Sequence, residues 1–66
     1  MKCKLKEYLD GRTQTWLSEK TGIKIGSINK IVNGKRVPEL ENALKIARAV
    51  GASVEEIWVF EGENKE

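Results

Sequence analysis

Histidine is absent from this chain, cysteine and proline occur once each, and only four of its 66 residues are aromatic. The lack of histidine removes the commonest metal ligand and the usual general base near neutral pH. With Cys3 alone no internal disulfide forms, and a thiolate metal site would need more ligands than the chain owns. A partly buried, unremarkable thiol is the expectation for Cys3. No apolar run approaches the ~20 residues of a membrane-spanning helix. The first ten residues, MKCKLKEYLD, have no hydrophobic signal-peptide core, so a cytoplasmic location is expected. No nucleophile–base pair, phosphate-cradling glycine loop or metal cluster is visible. So short a chain also leaves little room for a pocket, and neither an enzyme nor a cofactor is expected.

What is present is the composition of a small globular domain, 39% hydrophobic and 33% charged. One domain over residues 1–60 is expected, with 61–66 as a short charged tail. The net charge of +2 conceals an asymmetry. Residues 1–54 hold eleven Lys or Arg against five Asp or Glu, whereas residues 55–66 hold five glutamates against Lys65. Between 24 and 36 stand Lys24, Lys30, Lys35 and Arg36 with no acid among them. A polyanion responds to that local field and not to the average. Charge alone leaves a solvated basic face as an equal alternative.

The apolar spacing predicts five short helices, no strand and no repeat. The first covers about 2–9, with Leu5, Tyr8 and Leu9 on one face, and stops at Asp10-Gly11. Thr13 is placed to cap the second helix, which runs to about Lys20 with Leu17 and Ser18 inward. Thr21-Gly22 makes a turn, and Ile23 is an apolar plug behind it. The third helix runs from Lys24 or Ile25 to Val32 and is stopped by Asn33-Gly34. Pro38 is expected to open the fourth, where its missing N–H costs least. Its apolar face is read as Leu40, Ala43, Leu44, Ala47 and Val50, with Leu44 in the core. Ser53, with Glu56 three residues on, signals a capping box for a last helix carrying Val54, Ile57, Trp58 and Phe60.

The third helix is the informative one. With Ile28 at the centre of the buried face, Ile31 and Val32 fall about 60° and 40° to either side. Gly26 and Lys30 then lie about 160° away, with Asn33 beside them and Ser27 and Asn29 on the flanks. Asparagine can donate to and accept from adenine in a major groove, and lysine can donate to guanine. Gly26 costs roughly 1 kcal/mol of helix propensity, which makes sense if the backbone must approach a ligand closely. The bland alternatives are a merely solvated polar face and a glycine that only eases packing of the second helix on the third. Gln14 and Thr15 open the second helix, where free N–H groups favour phosphate.

These residues carry a resemblance. The ordered set Thr13-Gln14, Leu17-Ser18, Gly22-Ile23, Ile28, Ile31, Asn33-Gly34-Lys35-Arg36, Pro38 and Leu44 to Gly51 is similar to the helix-turn-helix domain of lambda-repressor and Cro-type regulators. The similarity covers about residues 5–58. It implies an all-α, four- to five-helix lambda-repressor-like fold whose third helix enters the major groove, with two half-sites bound by a dimer. By family position, Ile25, Gly26, Ser27, Asn29 and Lys30 would read bases. Gln14, Thr15, Lys24, Asn33, Lys35 and Arg36 would meet phosphate. Three departures stand out, one being that the first turn of the third helix holds Lys24, Ile25 and Gly26 where the family usually carries polar base-readers. The link around Asp10-Gly11-Arg12 is shorter than usual, which should cut or shift the first helix. Val32 occupies a place where the family often has a glutamate paired to an arginine on the first helix, and Leu9 is the apolar substitute for that pair.

The expected function is a sequence-specific DNA-binding transcriptional regulator, a repressor in the first instance. Its partner is double-stranded DNA, with no small-molecule ligand and no membrane. A homodimer through Val54, Ile57, Trp58 and Phe60 of the last helix is expected. The competing reading is a protein-interaction module, an antirepressor or adaptor, which apparent exposure of Trp58 and Phe60 would favour. Trp16 is expected to pack at the core or its rim.

Overall fold

The computed structural model describes residues 1–60. In chain order it contains β1 (Lys2–Cys3), α1 (Leu5–Leu9), α2 (Gln14–Thr21), α3 (Ile25–Val32), α4 (Leu40–Val50), α5 (Val54–Ile57) and β2 (Trp58–Val59). The tail expected over 61–66 lies outside the described residues.

Local chemistry sets most of the boundaries. The Thr13 hydroxyl accepts the Trp16 N–H at 3.0 Å and so caps α2 as the sequence predicts. At the other end Gly22 sits in the left-handed region at φ 76°, and its N–H donates to Ser18 O. The turn into α3 is closed by side chains. The Thr21 hydroxyl donates to Leu17 O and accepts from Ile23 N–H, and the Ser18 hydroxyl donates to Ile23 O. With its backbone groups satisfied there, Ile23 can be buried. The α1–α2 link is tighter still. Asp10 and Gly11 both take positive φ, at 53° and 84°, which ends α1 after five residues. Arg12 then folds back, donating to Leu9 O at 2.8 Å and Tyr8 O at 3.1 Å, with its guanidinium carbon 4.2 Å from the centre of the Trp16 ring. Those bonds satisfy carbonyls that so short a helix leaves open. Trp16 is half-buried and packs against the core, the rim role expected for it.

The core is a single cluster. Leu5 and Leu9 of α1, Leu17 of α2, Ile23, Ile28, Ile31 and Val32 around α3, Ala43, Ile46 and Ala47 of α4, and Ile57 with Trp58 all contribute. Leu9 and Val32 are both buried, so apolar packing occupies the positions where the family often keeps an ion pair.

Three expectations are corrected. First, the chain is not strand-free: Lys2 pairs with Val59 and Cys3 with Trp58 in a two-stranded antiparallel ladder, continued by Lys4 N–H to Ile57 O at 2.7 Å. Residues 2–4 are therefore not helical, and α1 begins at Leu5. The Cys3 thiol, half-buried as expected, donates to Ile31 O at 3.3 Å. Second, α4 begins at Leu40, with extended Glu39 as its N-cap and Pro38 one residue further out. Third, the buried face of α4 is Ala43, Ile46 and Ala47 with Val50 half-buried, while Leu40 is 71% and Leu44 48% exposed. Both stripes obey a spacing of three and four. The fold takes the one with Ile46, whose side chain is fully buried, and the isomeric Leu44 is left outside.

This placement fixes a stability contrast. Ile46→Ala should destabilise the fold by roughly 2–5 kcal/mol in chemical denaturation. Leu44→Ala and Leu40→Ala should each change it by no more than about 0.5 kcal/mol, as surface substitutions do. Equal losses at 44 and 46 would show that the face is misassigned.

Candidate nucleic-acid interface

Helix α3 owes its orientation to three residues. Ile28, Ile31 and Val32 are all buried to within a few per cent, so the opposite face has nowhere to point but solvent. Gly26, Asn29, Lys30 and Asn33 are exposed, Ser27 is half-buried, and Ile25 at the first turn is 47% exposed. The five base-reading candidates therefore share one accessible surface. Lys24 is the N-cap of α3 and Asn33 its C-cap, so the predicted 24–33 span is the helix with its caps.

Gly26 separates the two explanations offered for it. A Cβ built at this position meets no heavy atom within 4 Å. Packing of α2 on α3 therefore does not require the glycine. Its absence of a side chain opens the outer surface alone.

The phosphate candidates surround this face. Gln14, half-buried, and Thr15, exposed, occupy the first turn of α2, where N–H groups lack helical partners. Lys24, Lys35 and Arg36 are exposed at the two ends of α3. The Arg36 guanidinium reaches back to Ser27 Oγ at 3.5 Å, which holds the loop cation close to the helix. Asn33 is differently employed: its Nδ2 donates to Asn29 O at 2.9 Å, completing the last turn of α3. Its backbone N–H donates to the same oxygen, and Lys35 N–H bonds Lys30 O. These bonds set the direction in which the 33–36 loop leaves the helix.

One contact escaped the sequence. Asn29 Nδ2 donates to Gln14 Oε1 at 3.2 Å, joining the outer face of α3 to the first turn of α2. Two polar residues fifteen apart carry no periodic signal; only the folded turn brings them together. The Arg12–Trp16 stack was within reach of sequence reading, since a cation four residues before a tryptophan is a recognisable pair.

The dimer surface expected from sequence is not available as drawn. Ile57 is fully buried and Trp58 is 8% exposed, because β2 folds Trp58 back over the core instead of extending α5. Phe60, at 76%, and half-buried Val54 remain. They border an open apolar groove with Met1, Val37, Pro38 and Leu40. Among the described residues no group of acidic or thiol side chains is arranged to hold a metal ion, and no helix is long and apolar enough to cross a membrane.

Comparison with known proteins converges with this geometry. A helix-turn-helix family model matches residues 5–57. The chain is 41% identical over 63 residues to an uncharacterised HTH-type transcriptional regulator of Methanocaldococcus jannaschii, covering 92% of this chain and 96% of that protein. A regulator of the same description from Archaeoglobus fulgidus is 34% identical over 65 residues, 96% of this chain and 93% of the other. A 41-residue stretch, 62% of this chain, is also 44% identical to a segment making up 2% of a replication factor C small subunit from M. jannaschii. With the capped α2, the glycine turn and an α3 that buries Ile28 and bares Asn29 in one continuous match, the chain belongs to the lambda-repressor and Cro-like helix-turn-helix family.

Proposed function

We propose that this protein is a cytoplasmic, sequence-specific DNA-binding transcriptional regulator that lays α3 in the major groove and represses by occupying its site. The observation that carries this reading is the bare outer face of α3, with Gly26 open and Asn29 and Lys30 exposed over a buried Ile28. A helix fits the major groove only where its side chains are short or hydrogen-bonding. Asn29 and Lys30 supply donors and acceptors to base edges, Ile25 an apolar contact for a thymine methyl, and Ser27 a hydroxyl. Gln14, Thr15, Lys24, Lys35 and Arg36 meet phosphate on either side. Asn33 contributes chiefly by holding the loop that carries the last two. Regulation then works by occupancy, without catalysis.

A second copy of the chain completes a two-fold site. The surface proposed for it is the groove bordered by Leu40, Val37 and Phe60 and not the buried Ile57 and Trp58. Large apolar side chains concentrated on one side of a domain this small are characteristic of a contact surface. Val37 and Pro38 follow directly on Arg36, so a partner there stands beside the DNA-facing loop. The protein-interaction alternative loses one of its two aromatics, since Trp58 belongs to the core.

Four outcomes test this reading. Asn29→Ala and Lys30→Ala should relax base preference, each costing on the order of 1–3 kcal/mol on the specific site. Lys35→Ala and Arg36→Ala should weaken all sequences alike and flatten the salt dependence by about one unit each. Titrations on specific and scrambled duplexes at several salt concentrations separate the two classes. Gly26→Ala should stabilise the free protein by roughly 1 kcal/mol through helix propensity alone. Gly26→Leu should leave the fold intact yet abolish high-affinity binding, as followed by thermal melting beside fluorescence anisotropy. Leu40→Glu with Phe60→Ser should shift sedimentation equilibrium toward monomer without loss of helix; an unchanged dimer would place the interface elsewhere.

A further inference from the structure

The two extremes of the charge distribution meet beside the loop that follows α3. Residues 24–36 hold four cations and no acid, while 55–66 hold five glutamates against Lys65. Among the described residues the single ion pair is Lys45–Glu41 at 3.4 Å, so Lys35 and Arg36 keep their charges unmatched. The fold brings the acidic end of the chain to them. Glu55 and Phe60 border the apolar groove together with Val37 and Pro38. Val37 and Pro38 also border a second, more polar cleft with Ser27, Arg36, Glu39 and Asn42. Phe60 and Arg36 therefore flank the same two-residue wall. Directly after Phe60 come Glu61, Glu63 and Glu66, with Lys65 the only opposing charge. Six residues reach at most about 20 Å, enough to cross that wall. A segment on so short a tether acts at an effective concentration of order millimolar. Polarity selects its end point. Carboxylates gain nothing from the apolar groove, and Glu39 offsets only part of the charge that Lys35 and Arg36 place beyond it. A second cationic cluster, Lys20, Lys45 and Arg48, shares no lining residue with either cleft, and Glu41 already occupies Lys45.

We propose that residues 61–66 are an intramolecular competitor for DNA: Glu61, Glu63 and Glu66 dock on Lys35 and Arg36 in the place of phosphate. Exposed ion pairs are individually weak and screened by salt, so the segment yields to a duplex that offers many phosphates at once. Its cost is the same for every sequence. Non-specific binding, held by phosphate contacts, is thereby suppressed, while a specific site retains its base contacts. This consequence rests on the DNA-binding reading above; the contact itself does not.

The test compares the full chain with its E61Q/E63Q/E66Q variant, each with and without K35A/R36A. In the absence of DNA and at low salt, the Lys35 and Arg36 amide resonances should differ between wild type and the triple variant and converge as salt rises. Those of Lys20 and Arg48 should coincide throughout. On scrambled duplexes at about 0.15 M salt, where distant charges are screened, the triple variant should bind roughly three- to tenfold more tightly, the strength of a few exposed ion pairs. Its salt slope should steepen by about one. In the K35A/R36A background the same three substitutions should change binding by less than about twofold. Equal tightening in both backgrounds, shifts centred on Lys20, Lys45 and Arg48, or no shift at all would overturn the docking. A wild type that binds no duplex at low salt would overturn the DNA-binding reading instead, and the amide shifts would still decide whether the acidic segment meets the loop.

Discussion

The burial of Ile28 between its helix and the rest of the core determines the rotation of α3, and nearly every feature of the proposed DNA-facing surface depends on that rotation. A fully buried isoleucine contributes about 1.5–3 kcal/mol, and Ile31 and Val32 lie within the same face. Turning the helix by one residue would expose part of this set and bury Asn29 or Lys30, whose polar groups have no partners inside. An unpaired buried amide alone costs roughly 1–3 kcal/mol. In a domain whose total stability is of order 5–15 kcal/mol, that penalty excludes the alternative. Asn29 and Lys30 are outside because Ile28 cannot be.

How much of this was legible follows from the kind of signal each element carries. The α2–turn–α3 unit was readable because its boundaries are local: Thr13 caps three residues ahead, Gly22 ends the helix in a conformation most residues avoid, and Ile28, Ile31 and Val32 share one face without competition. The capping box at Ser53 and Glu56 was readable for the same reason. In α4 two apolar stripes fit the same periodicity, and only the tertiary packing of Ile46 decided between them. The β1–β2 ladder was illegible, since two strands of two residues are too short for any alternation to show. Their pairing depends on the chain ends being brought together by the helices between. That pairing also explains Trp58: a ladder with Cys3 turns its ring inward, where a continued helix would have carried it toward solvent.

The outer face was legible by residue type and position, but the contacts within it were not. Asn29, Lys30, Lys35 and Arg36 could be placed on one side of the molecule from the helical period and the loop that follows. Asn33 on Asn29 O and Arg36 on Ser27 are set by α3 and the loop that follows it, while the grip of Gln14 on the Asn29 amide depends on the turn geometry at Thr21–Ile23. That geometry rests on three side chain–backbone bonds from Ser18 and Thr21. The motif is thus a set of short polar residues holding two helices at a fixed angle, with the apolar core setting how each is rolled.

The most direct measurement is a backbone amide NMR titration of the protein with duplex DNA at low salt. The account predicts that shifts concentrate at Gln14, Thr15, Gly26, Asn29, Lys30, Lys35 and Arg36, while Ala43, Ile46 and Ala47 of α4 stay in place. Shifts centred instead on Leu40, Val54 and Phe60, or a spectrum indifferent to DNA, would contradict it.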